Sequence, residues 1–306
     1  MKNSTHRSAY IKLVISIIGW AGVYHSANYL AHHSDIYGLA FIRYLLASII
    51  LVTIIWFKRG YLIKLVDLKK HYKILVLLGT FGIGIYNIGF FIAESYLPAS
   101  KIALIIAFTP CVSSLMSSFY FRQKLSIYAY IGMLIALLGT VGVINYGNTS
   151  CGRYWCNFFE HLSTGEIAAL SLCITTSLFN IMSRIASQNG IDSLTITAFA
   201  AIFGDVILFF AMVLFGNIHS VIYNNSEYWI LMAYTVLIGS VLCYFWYSEA
   251  IAKLGVSRIS VFLNGIPFTA VLIDIIFFNR EVHLPVIISG MVIIAGVIIT
   301  NKAINR

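Results

Sequence analysis

The sequence predicts an all-α membrane protein with ten transmembrane helices, arranged as two inverted five-helix halves. Three observations predict this fold class: the composition, ten long apolar runs and an internal repeat. Residues of the set AVILMFWYC make up 60% of the 306 residues, and charged residues make up only 10%. A soluble domain is usually about 45–50% apolar and about 25% charged. The composition therefore argues against a water-soluble globule, a disordered chain and a fibre.

The formal net charge is +9 and the pI is about 9.3. In a soluble protein this charge would favour nucleic-acid binding. Here many lysines and arginines fall in short segments between apolar runs, such as residues 58–73, which is typical of loops at the cytoplasmic face of a membrane. We therefore expect a lipid bilayer and a small-molecule substrate as partners, and no nucleic acid.

Ten runs are long enough to span a bilayer, since a membrane helix needs about 20 mostly apolar residues. The runs are 10–31, 38–57, 72–93, 101–121, 127–147, 165–187, 194–215, 227–252, 257–278 and 284–303. Their continuous apolarity favours helices over a barrel, in which apolar and polar residues alternate. The first run is too long for the apolar region of a signal peptide, so we interpret it as a retained helix.

The distribution of lysine and arginine predicts the face on which each connection lies. With the N-terminus in the cytoplasm, sixteen of the 20 fall on the inner side, and only Lys101, Arg153 and Arg280 fall in outer segments. This bias follows the positive-inside rule and predicts that both termini are cytoplasmic. Cys151 and Cys156 then lie in an outer loop, where they form either a disulfide or two free thiols.

A displacement of 157 residues superimposes the chain on itself. The aligned pairs include Gly82 with Gly239, Ser100 with Ser257, and Pro110 with Pro267. The displacement carries predicted helices 3–5 onto helices 8–10, so that residues 1–147 and 165–306 form two repeats around an outer linker loop at 148–164. Because five is odd, the second repeat enters the membrane the other way up. Inverted repeats suit alternating access, with the substrate near the midplane between the halves.

The repeated motifs are specific enough to indicate a family. A segment that ends at a proline occurs twice, as residues 93–110 and 250–267, and each copy is followed by a glycine-rich helix, IGMLIALLGTVGVI or ISGMVIIAGVIIT. Predicted helix 2 contains the segment FIRY, with Arg43. The chain resembles the EamA-type branch of the drug/metabolite transporter (DMT) superfamily, although the Glu that often follows helix 4 is Lys124 in the first half and is kept as Glu281 in the second. The resemblance implies a ten-helix carrier that mostly exports amino acids and related metabolites; it indicates the fold and not the cargo.

Ionisable side chains at membrane depth are functional candidates, because charge in lipid is unfavourable. Arg43 either binds a substrate carboxylate with its planar guanidinium or pairs structurally with Glu94 or Asp274. Asp205, in the middle of predicted helix 7, either binds a substrate amine or couples to protons, or else makes a buried structural hydrogen bond. His25 and Glu94 are further candidates for proton coupling, and the alternatives are a core histidine and a carboxylate exposed at the interface.

Polar and aromatic side chains at helical spacing predict a cavity between the halves. Trp20, Tyr24 and Asn28 share one face of helix 1 at i, i+4 spacing. Side chains of this kind suit a small zwitterion or an aromatic substrate; the alternative for each is an interhelical hydrogen bond or a lipid-facing ring. The predicted substrate-binding residues are Trp20, Tyr24, Asn28, Arg43, Asn87, Asn180, Asp205, Tyr244, Tyr247, Asn264 and Asp274.

The predicted function is secondary transport: export of small polar metabolites, such as amino acids, across a bacterial inner membrane. One alternative is import of a nucleotide-like metabolite such as S-adenosylmethionine, and another is a non-transporting membrane scaffold. The sequence has no Walker A, GxSxG or HExxH motif and no Cys/His metal set, so we expect no enzymatic activity, no cofactor and no metal. Gly132, Gly139 and Gly142 indicate close packing of helices 5 and 10, which would also support contacts in a homodimer.

Overall fold

A computed structural model describes residues 2–59, 65–122, 125–146, 162–222, 224–247, 265–279 and 282–304. The first half contains α1 (Lys2–His33), α2 (Ile36–Arg59), α3 (Leu65–Gly79), α4 (Tyr86–Tyr96), α5 (Ala99–Ile106), α6 (Thr109–Phe121) and α7 (Ile127–Tyr146). The second half contains α8 (Thr164–Gln188), α9 (Ser193–Phe215), α10 (His219–Ile222), α11 (Ser226–Tyr234), α12 (Gly265–Phe278) and α13 (Leu284–Ile304). Two π-helical segments complete the set: π1 (Thr80–Ile85), between α3 and α4, and π2 (Thr235–Cys243), after α11.

These helices confirm the predicted all-α membrane architecture. Within the described ranges, the stretches long and apolar enough to cross a bilayer are Ile36–Lys58, His71–Tyr96, Ala99–Phe121, Ile127–Asn145, Thr164–Gln188, Ser193–Phe215, Ser226–Tyr247 and Leu284–Ala303. At the places of predicted helices 1 and 9 the structure has α1 and the shorter apolar helix α12. The first residues predicted for helix 9, 257–264, lie outside the described residues. The count of ten crossings therefore remains a prediction.

Local side-chain chemistry explains where several helices begin. The carboxylate of Asp192 accepts a hydrogen bond from the backbone N–H of Thr195 at 3.1 Å, which caps the start of α9. At the start of α8, the backbone N–H of Ser163 donates to the carboxylate of Glu166 at 3.0 Å, as in a capping box. Pro110 lies in the first turn of α6, where its missing N–H leaves no hydrogen bond unmade. The fourth predicted span is therefore divided into α5 and α6.

The contacts between helices repeat when the two halves are exchanged. The helix formed by α3, π1 and α4 packs against α8, just as α11 and π2 pack against α1. Likewise α6 packs against α8, and α12 packs against α1. Two contacts stay the same when the halves are exchanged: that of α2 with α9 and that of α7 with α13. Both helix pairs therefore lie on the axis that relates the halves. The two-repeat architecture is therefore visible in the packing as well as in the sequence.

Glycines allow the closest approach between α7 and α13. A methyl group placed on Gly139 would lie 2.7 Å from the backbone nitrogen of Ile293, and one on Gly132 would lie 2.6 Å from that of Thr300. Such distances leave no room for a side chain, so the two backbones are in direct contact. The predicted close packing of these helices is confirmed.

The π segments occupy equivalent positions in the two halves. Gly82 in π1 and Gly239 in π2 are the glycines aligned by the displacement of 157 residues. A methyl group on Gly239 would lie 2.6 Å from Cγ2 of Val23, and one on Gly82 would overlap the ring of Phe179. Each π segment thus packs tightly against the first helix of the opposite half.

Candidate substrate site

Arg43 is a buried cation on α2, surrounded mainly by aromatic rings. The residue is 5% exposed, and its Cζ lies 5.5 Å from the ring centre of Tyr44, 5.8 Å from that of Phe90 and 5.7 Å from that of Phe91. Nη1 donates a hydrogen bond to Oδ1 of Asn87 at 3.4 Å, and Nε has no acceptor among the described residues. Aromatic faces attract a cation, but a buried charge is well stabilised only by a counter-ion and full hydrogen bonding. The guanidinium therefore retains the capacity to bind an anion.

Arg43 lies between the two π segments. Asn87 is the second residue after π1, and its Nδ2 donates to the carbonyl oxygen of Ile83 at 2.8 Å, which leaves Oδ1 to accept from Arg43. On the other side, a methyl group on Gly239 of π2 would lie 3.6 Å from Nη2 of Arg43. π-helical turns within α-helices are frequent at functional sites. The sequence predicted Arg43 and Asn87 as site residues, and the structure brings them together.

Trp20, Tyr244 and Tyr247 form an aromatic cluster at the interface between the halves. The ring of Trp20 stands edge-on to both tyrosines, with centroid distances of 5.4 Å to Tyr244 and 5.3 Å to Tyr247. The Nε1–H group of Trp20 donates to the carbonyl oxygen of Gly239 at 3.1 Å. A methyl group on this same Gly239 would lie 3.6 Å from Nη2 of Arg43. Three predicted site residues therefore form one aromatic cluster, which the backbone of Gly239 connects to the surroundings of Arg43.

A small cavity lies at this interface. Its lining residues are Tyr44, Leu51 and Ile83 from the first half and Phe179, Thr197, Ala200, Ala201, Ser240 and Tyr244 from the second. The volume open to the centre of a water molecule is about 10 Å³, which is room for about one water. A site for a drug-sized ligand usually measures about 300–1,000 Å³. The halves are therefore closed around this cavity in the present arrangement.

His25 and Asp274 form a buried pair between α1 and α12. Nε2 of His25 lies 3.2 Å from Oδ1 of Asp274, and the residues are 8% and 0% exposed. The ring of Phe278 stacks on that of His25 at 5.3 Å between centroids. The sequence left open whether Asp274 pairs with Arg43; the structure places it on His25, and Arg43 has no carboxylate partner among the residues that the structure describes.

Two other predicted residues of α1 take part in helix packing. Tyr24 is buried, and its ring stands edge-on to that of Phe90 at 5.4 Å. Asn28 donates from Nδ2 to the carbonyl oxygens of Glu94 at 2.7 Å and Leu97 at 3.0 Å, so its amide joins α1 to the end of α4. Glu94 itself is fully buried, whereas the sequence allowed for exposure at the membrane interface.

The remaining candidates are dispersed. Asp205 is 8% exposed on α9, and its Oδ1 has no hydrogen-bond partner among the described residues. Asn180 is exposed on α8. Asn264 and the two loop cysteines, Cys151 and Cys156, lie outside the described residues. Within the described part of the chain, no cluster of three or more His, Cys, Asp or Glu side chains is arranged to hold a metal ion.

Sequence reasoning missed a buried ion pair between the halves. Lys101 was expected in an outer segment, but it is 4% exposed in α5, and its Nζ lies 2.6 Å from Oε1 of Glu166 in α8. The carboxylate of Glu166 also accepts the backbone N–H of Ser163. The spacing of Ser163 and Glu166 is the capping-box signature, and this was the available signal that Glu166 is held in place.

A second missed feature joins the halves where α1 turns into α2. The hydroxyls of Ser34 and Tyr228 share a hydrogen bond of 2.7 Å. The backbone N–H of Asp35 donates to Oγ of Ser220 at 2.8 Å, and its carboxylate accepts the backbone N–H of Asn217 at 3.0 Å. We call these five residues the latch. It holds the connection between α1 and α2 against the segment that runs from the end of α9 into α11, so this end of the interface is closed.

The fold and the site together define a multi-pass helical membrane protein with two repeated halves and a closed polar site between them. The sequence profile of the EamA-like transporter family matches the chain twice, over residues 7–145 and 163–302. The chain therefore belongs to the EamA-like transporter family. This confirms the resemblance noted from the sequence, and it identifies the protein as a membrane transporter.

Similar proteins support the same assignment. The uncharacterized transporter YyaM of Bacillus subtilis (strain 168) is 22% identical over 98% of this chain and 95% of its own length. An uncharacterized transporter of Archaeoglobus fulgidus is 24% identical over 96% of this chain and 99% of its own length. A crystal structure of a protein that is 17% identical superimposes with a TM-score of 0.66, over 98% of this chain and 99% of that chain. At this identity the structural likeness supports the fold alone.

Proposed function

We propose that the protein is a secondary transporter that exports small polar metabolites, with amino acids or close derivatives as the cargo. The observation that carries the proposal is Arg43, a buried guanidinium at the interface of the repeats with no carboxylate partner among the described residues. A substrate carboxylate would supply the counter-ion, because the planar guanidinium binds a carboxylate through two parallel hydrogen bonds. The outward direction rests on the resemblance to the EamA type, whose members mostly export their substrates.

The surroundings of Arg43 favour a ligand with one carboxylate and an apolar or aromatic part. Trp20 and Tyr244 offer flat apolar surface, and Trp20 is hydrogen-bonded to Gly239, the residue of π2 that approaches Nη2 of Arg43 in the described contacts. Asn87 offers an amide oxygen that now accepts from Arg43 and would be free for a ligand amine once a carboxylate takes its place. A hydrophobic or aromatic amino acid has all three features.

Alternating access would follow from the two repeats. Residues 1–147 and 165–306 would be the two repeat units, joined by the outer linker at 148–164, with α7 and α13 as the scaffold. The remaining helices would rock between inward-open and outward-open states, and the small cavity fits a closed state between them. With both termini in the cytoplasm of a bacterium, the latch would close the outer face of the inner membrane.

The aromatic cluster favours a second candidate cargo. A nucleotide-like metabolite such as S-adenosylmethionine would stack its base on Trp20 or Tyr244, which present two rings from opposite halves. Its carboxylate would bind Arg43 in the same way, so this candidate shares the cation and differs in the size of the apolar part and in the direction of transport.

Counterflow in proteoliposomes tests the proposal. Vesicles that contain the purified protein and unlabelled amino acids should take up labelled amino acid, and Arg43→Gln should lower this uptake by about 10- to 100-fold, since a hydrogen bond to a charged group contributes about 1.5–3 kcal/mol. Arg184→Gln is the matched control, because Arg184 is an exposed arginine on α8 that lies over the ring of Phe121. It should leave uptake unchanged.

Three other results would contradict the proposal, each in a different part. Wild-type vesicles that show no counterflow with any amino acid would contradict the proposed cargo, and competition by S-adenosylmethionine would then select the second candidate. Uptake by Arg43→Gln at the wild-type rate would remove the role of Arg43. A deletion phenotype that Arg43→Gln rescues in full, without measurable transport, would indicate a membrane scaffold instead.

A further inference from the structure

Both ring nitrogens of His25 lie against oxygen atoms. Nδ1 is 3.0 Å from the carbonyl oxygen of Ala21, one turn earlier in α1, and Nε2 is 3.2 Å from Oδ1 of Asp274 in α12. A carbonyl oxygen can only accept, so Nδ1 must carry a hydrogen. The chemistry of the pair then depends on which atom holds the hydrogen between Nε2 and Oδ1.

Two arrangements of hydrogen satisfy this geometry with a single proton shared between Nε2 and the carboxyl group, and a further proton on Oδ2 would also be compatible with it. If Asp274 is ionised, Nε2 of His25 must be protonated and the ring is an imidazolium. If Nε2 carries no hydrogen, the carboxyl group of Asp274 must be protonated and must donate to it. The arrangement with one proton fewer would place the lone pair of Nε2 against a carboxylate oxygen at 3.2 Å, which is repulsive. In this arrangement of the helices the pair therefore holds a proton.

The pair also bridges the two repeats. His25 lies in α1 of the first half and Asp274 in α12 of the second, and the two helices pack directly against each other. The residues are 8% and 0% exposed, so the proton is shielded from water. A movement that separates α1 from α12 would hydrate both groups and remove the geometry that retains the proton.

We infer that the His25–Asp274 pair is a proton-binding site that couples proton movement to the rearrangement of the repeats. The inference rests on the proposed transport function. The pair takes up one proton from water on one side of the membrane as α1 and α12 come together and releases it to water on the other side when they separate, so one proton crosses the membrane in each cycle and only bonds to hydrogen change. Transport of the metabolite is then driven by exchange for a proton.

Other buried charges lie on the helices around the pair. On the described elements that pack against α1 and α12, they are Arg43 on α2, Glu94 on α4 and Lys101 on α5. Lys101 is neutralised by Glu166 at 2.6 Å. Arg43 and Glu94 stay unchanged in the test.

Gradient-driven accumulation in proteoliposomes tests the inference. The vesicles start with an equal labelled amino-acid mixture on both sides, the membrane potential is held at zero, and a difference of one pH unit is imposed. If one proton exchanges for one molecule, the wild-type protein should produce a concentration ratio that approaches about tenfold. His25→Gln and Asp274→Asn should each keep counterflow and hold the ratio at one. His33→Gln, an exposed histidine on the same helix, is the control and should behave as wild type.

The double variant His25→Gln, Asp274→Asn separates a proton site from a structural contact. Two amides can keep a hydrogen bond between α1 and α12 but cannot release a proton at these pH values. We expect it to show counterflow with a ratio of one. A tenfold ratio in the double variant, or loss of its counterflow, would mean that the pair only joins the helices and would overturn the inference. Wild-type counterflow without accumulation would also overturn it, whereas wild type without any counterflow would contradict the proposed function first.

Discussion

Asp35 and Asp192 occupy the same place in the two halves of the chain. They are 157 residues apart, and each directly precedes a helix, α2 or α9, that lies on the axis between the repeats. Each carboxylate accepts the backbone N–H three residues later, from Gly38 at 2.7 Å and from Thr195 at 3.1 Å. The two π segments are duplicated in the same way. The features that build the backbone therefore occur in both halves.

Four buried ionisable side chains follow the opposite rule. At the same displacement, Arg43 corresponds to Ala200, His25 to Met182, Asp274 to Ser117, and Asp205 to Ser48. Equal backbones allow the two halves to exchange conformations, which alternating access requires. A substrate with a single carboxylate needs a single cation, so a second copy of Arg43 would be a buried charge without a partner. The positions at which the halves differ thus indicate the site.

Among the changes that test this comparison, removal of the Asp35 carboxylate from the latch should have the largest effect on stability. Asp35 caps α2 as Asp192 caps α9, but its carboxylate also binds the backbone of Asn217 in the other half. Asp35→Ala should lower stability by about 3 kcal/mol, because it removes a cap worth about 1 kcal/mol and a hydrogen bond to a charged group. Hydrogen–deuterium exchange should rise about tenfold or more in two segments from opposite halves, residues 34–38 and 217–222.

The control for this prediction is Asp35→Asn. Asparagine caps helices about as well as aspartate and keeps a side-chain oxygen as acceptor. Exchange in both segments should therefore stay near that of the wild type. If Asp35→Ala speeds exchange at the start of α2 and leaves residues 217–222 unchanged, the latch does not hold the halves together.

Arg43→Met should have a smaller effect on stability, of the opposite sign. Methionine fills a similar volume among Tyr44, Phe90 and Phe91 and leaves no buried charge, so the protein should be unchanged or up to about 2 kcal/mol more stable. The cation–π attraction lost with the guanidinium, about 0.5–2 kcal/mol, limits the gain. The thermal unfolding midpoint in detergent measures this, with the exposed Arg184→Met as control. A fall in the midpoint as large as that of Asp35→Ala would make Arg43 a structural residue.

Much of the fold could be predicted from the sequence, because lipid imposes simple rules. A span needs about 20 apolar residues, and the observed bounds of α9, Ser193–Phe215, differ from the predicted 194–215 by one residue. The repeat was visible because glycine and proline destabilise the interior of a helix. Aligned pairs such as Gly82 and Gly239 are therefore less expected by chance than aligned apolar residues. Composition and spacing are enough to predict the spans and the repeat, since neither depends on knowing which side chains are in contact.

Long-range partners could not be predicted in the same way. Lys101 is neutralised by Glu166, 65 residues later, and spacing alone assigned this lysine to an outer segment. The aligned glycines indicated equivalence but not that an extra residue widens the helix around each of them into a π turn. Within the predicted site, Arg43 and Asn87 came together, whereas Asn28 is engaged in helix packing. One helical face offers several polar side chains, and only the partner helix decides which of them is used.

The smallest expected effect on stability is that of a change at Ser48, which corresponds to Asp205 in the other half. They are equivalent positions on the axis helices, and Oγ of Ser48, like Oδ1 of Asp205, has no hydrogen-bond partner among the described residues. Ser48→Ala should leave the unfolding midpoint unchanged or raise stability by up to about 1 kcal/mol, because it removes a buried polar group that makes no bond. Ser177→Ala is the matched control: its hydroxyl is buried but bonds to the carbonyl oxygen of Cys173 at 2.6 Å, so about 1 kcal/mol should be lost. If Ser48→Ala is as damaging as Ser177→Ala, the hydroxyl has a partner in the membrane. Ser48 and Asp205 would then form a polar site on the axis itself, and the rule that asymmetry marks the site would need to include it.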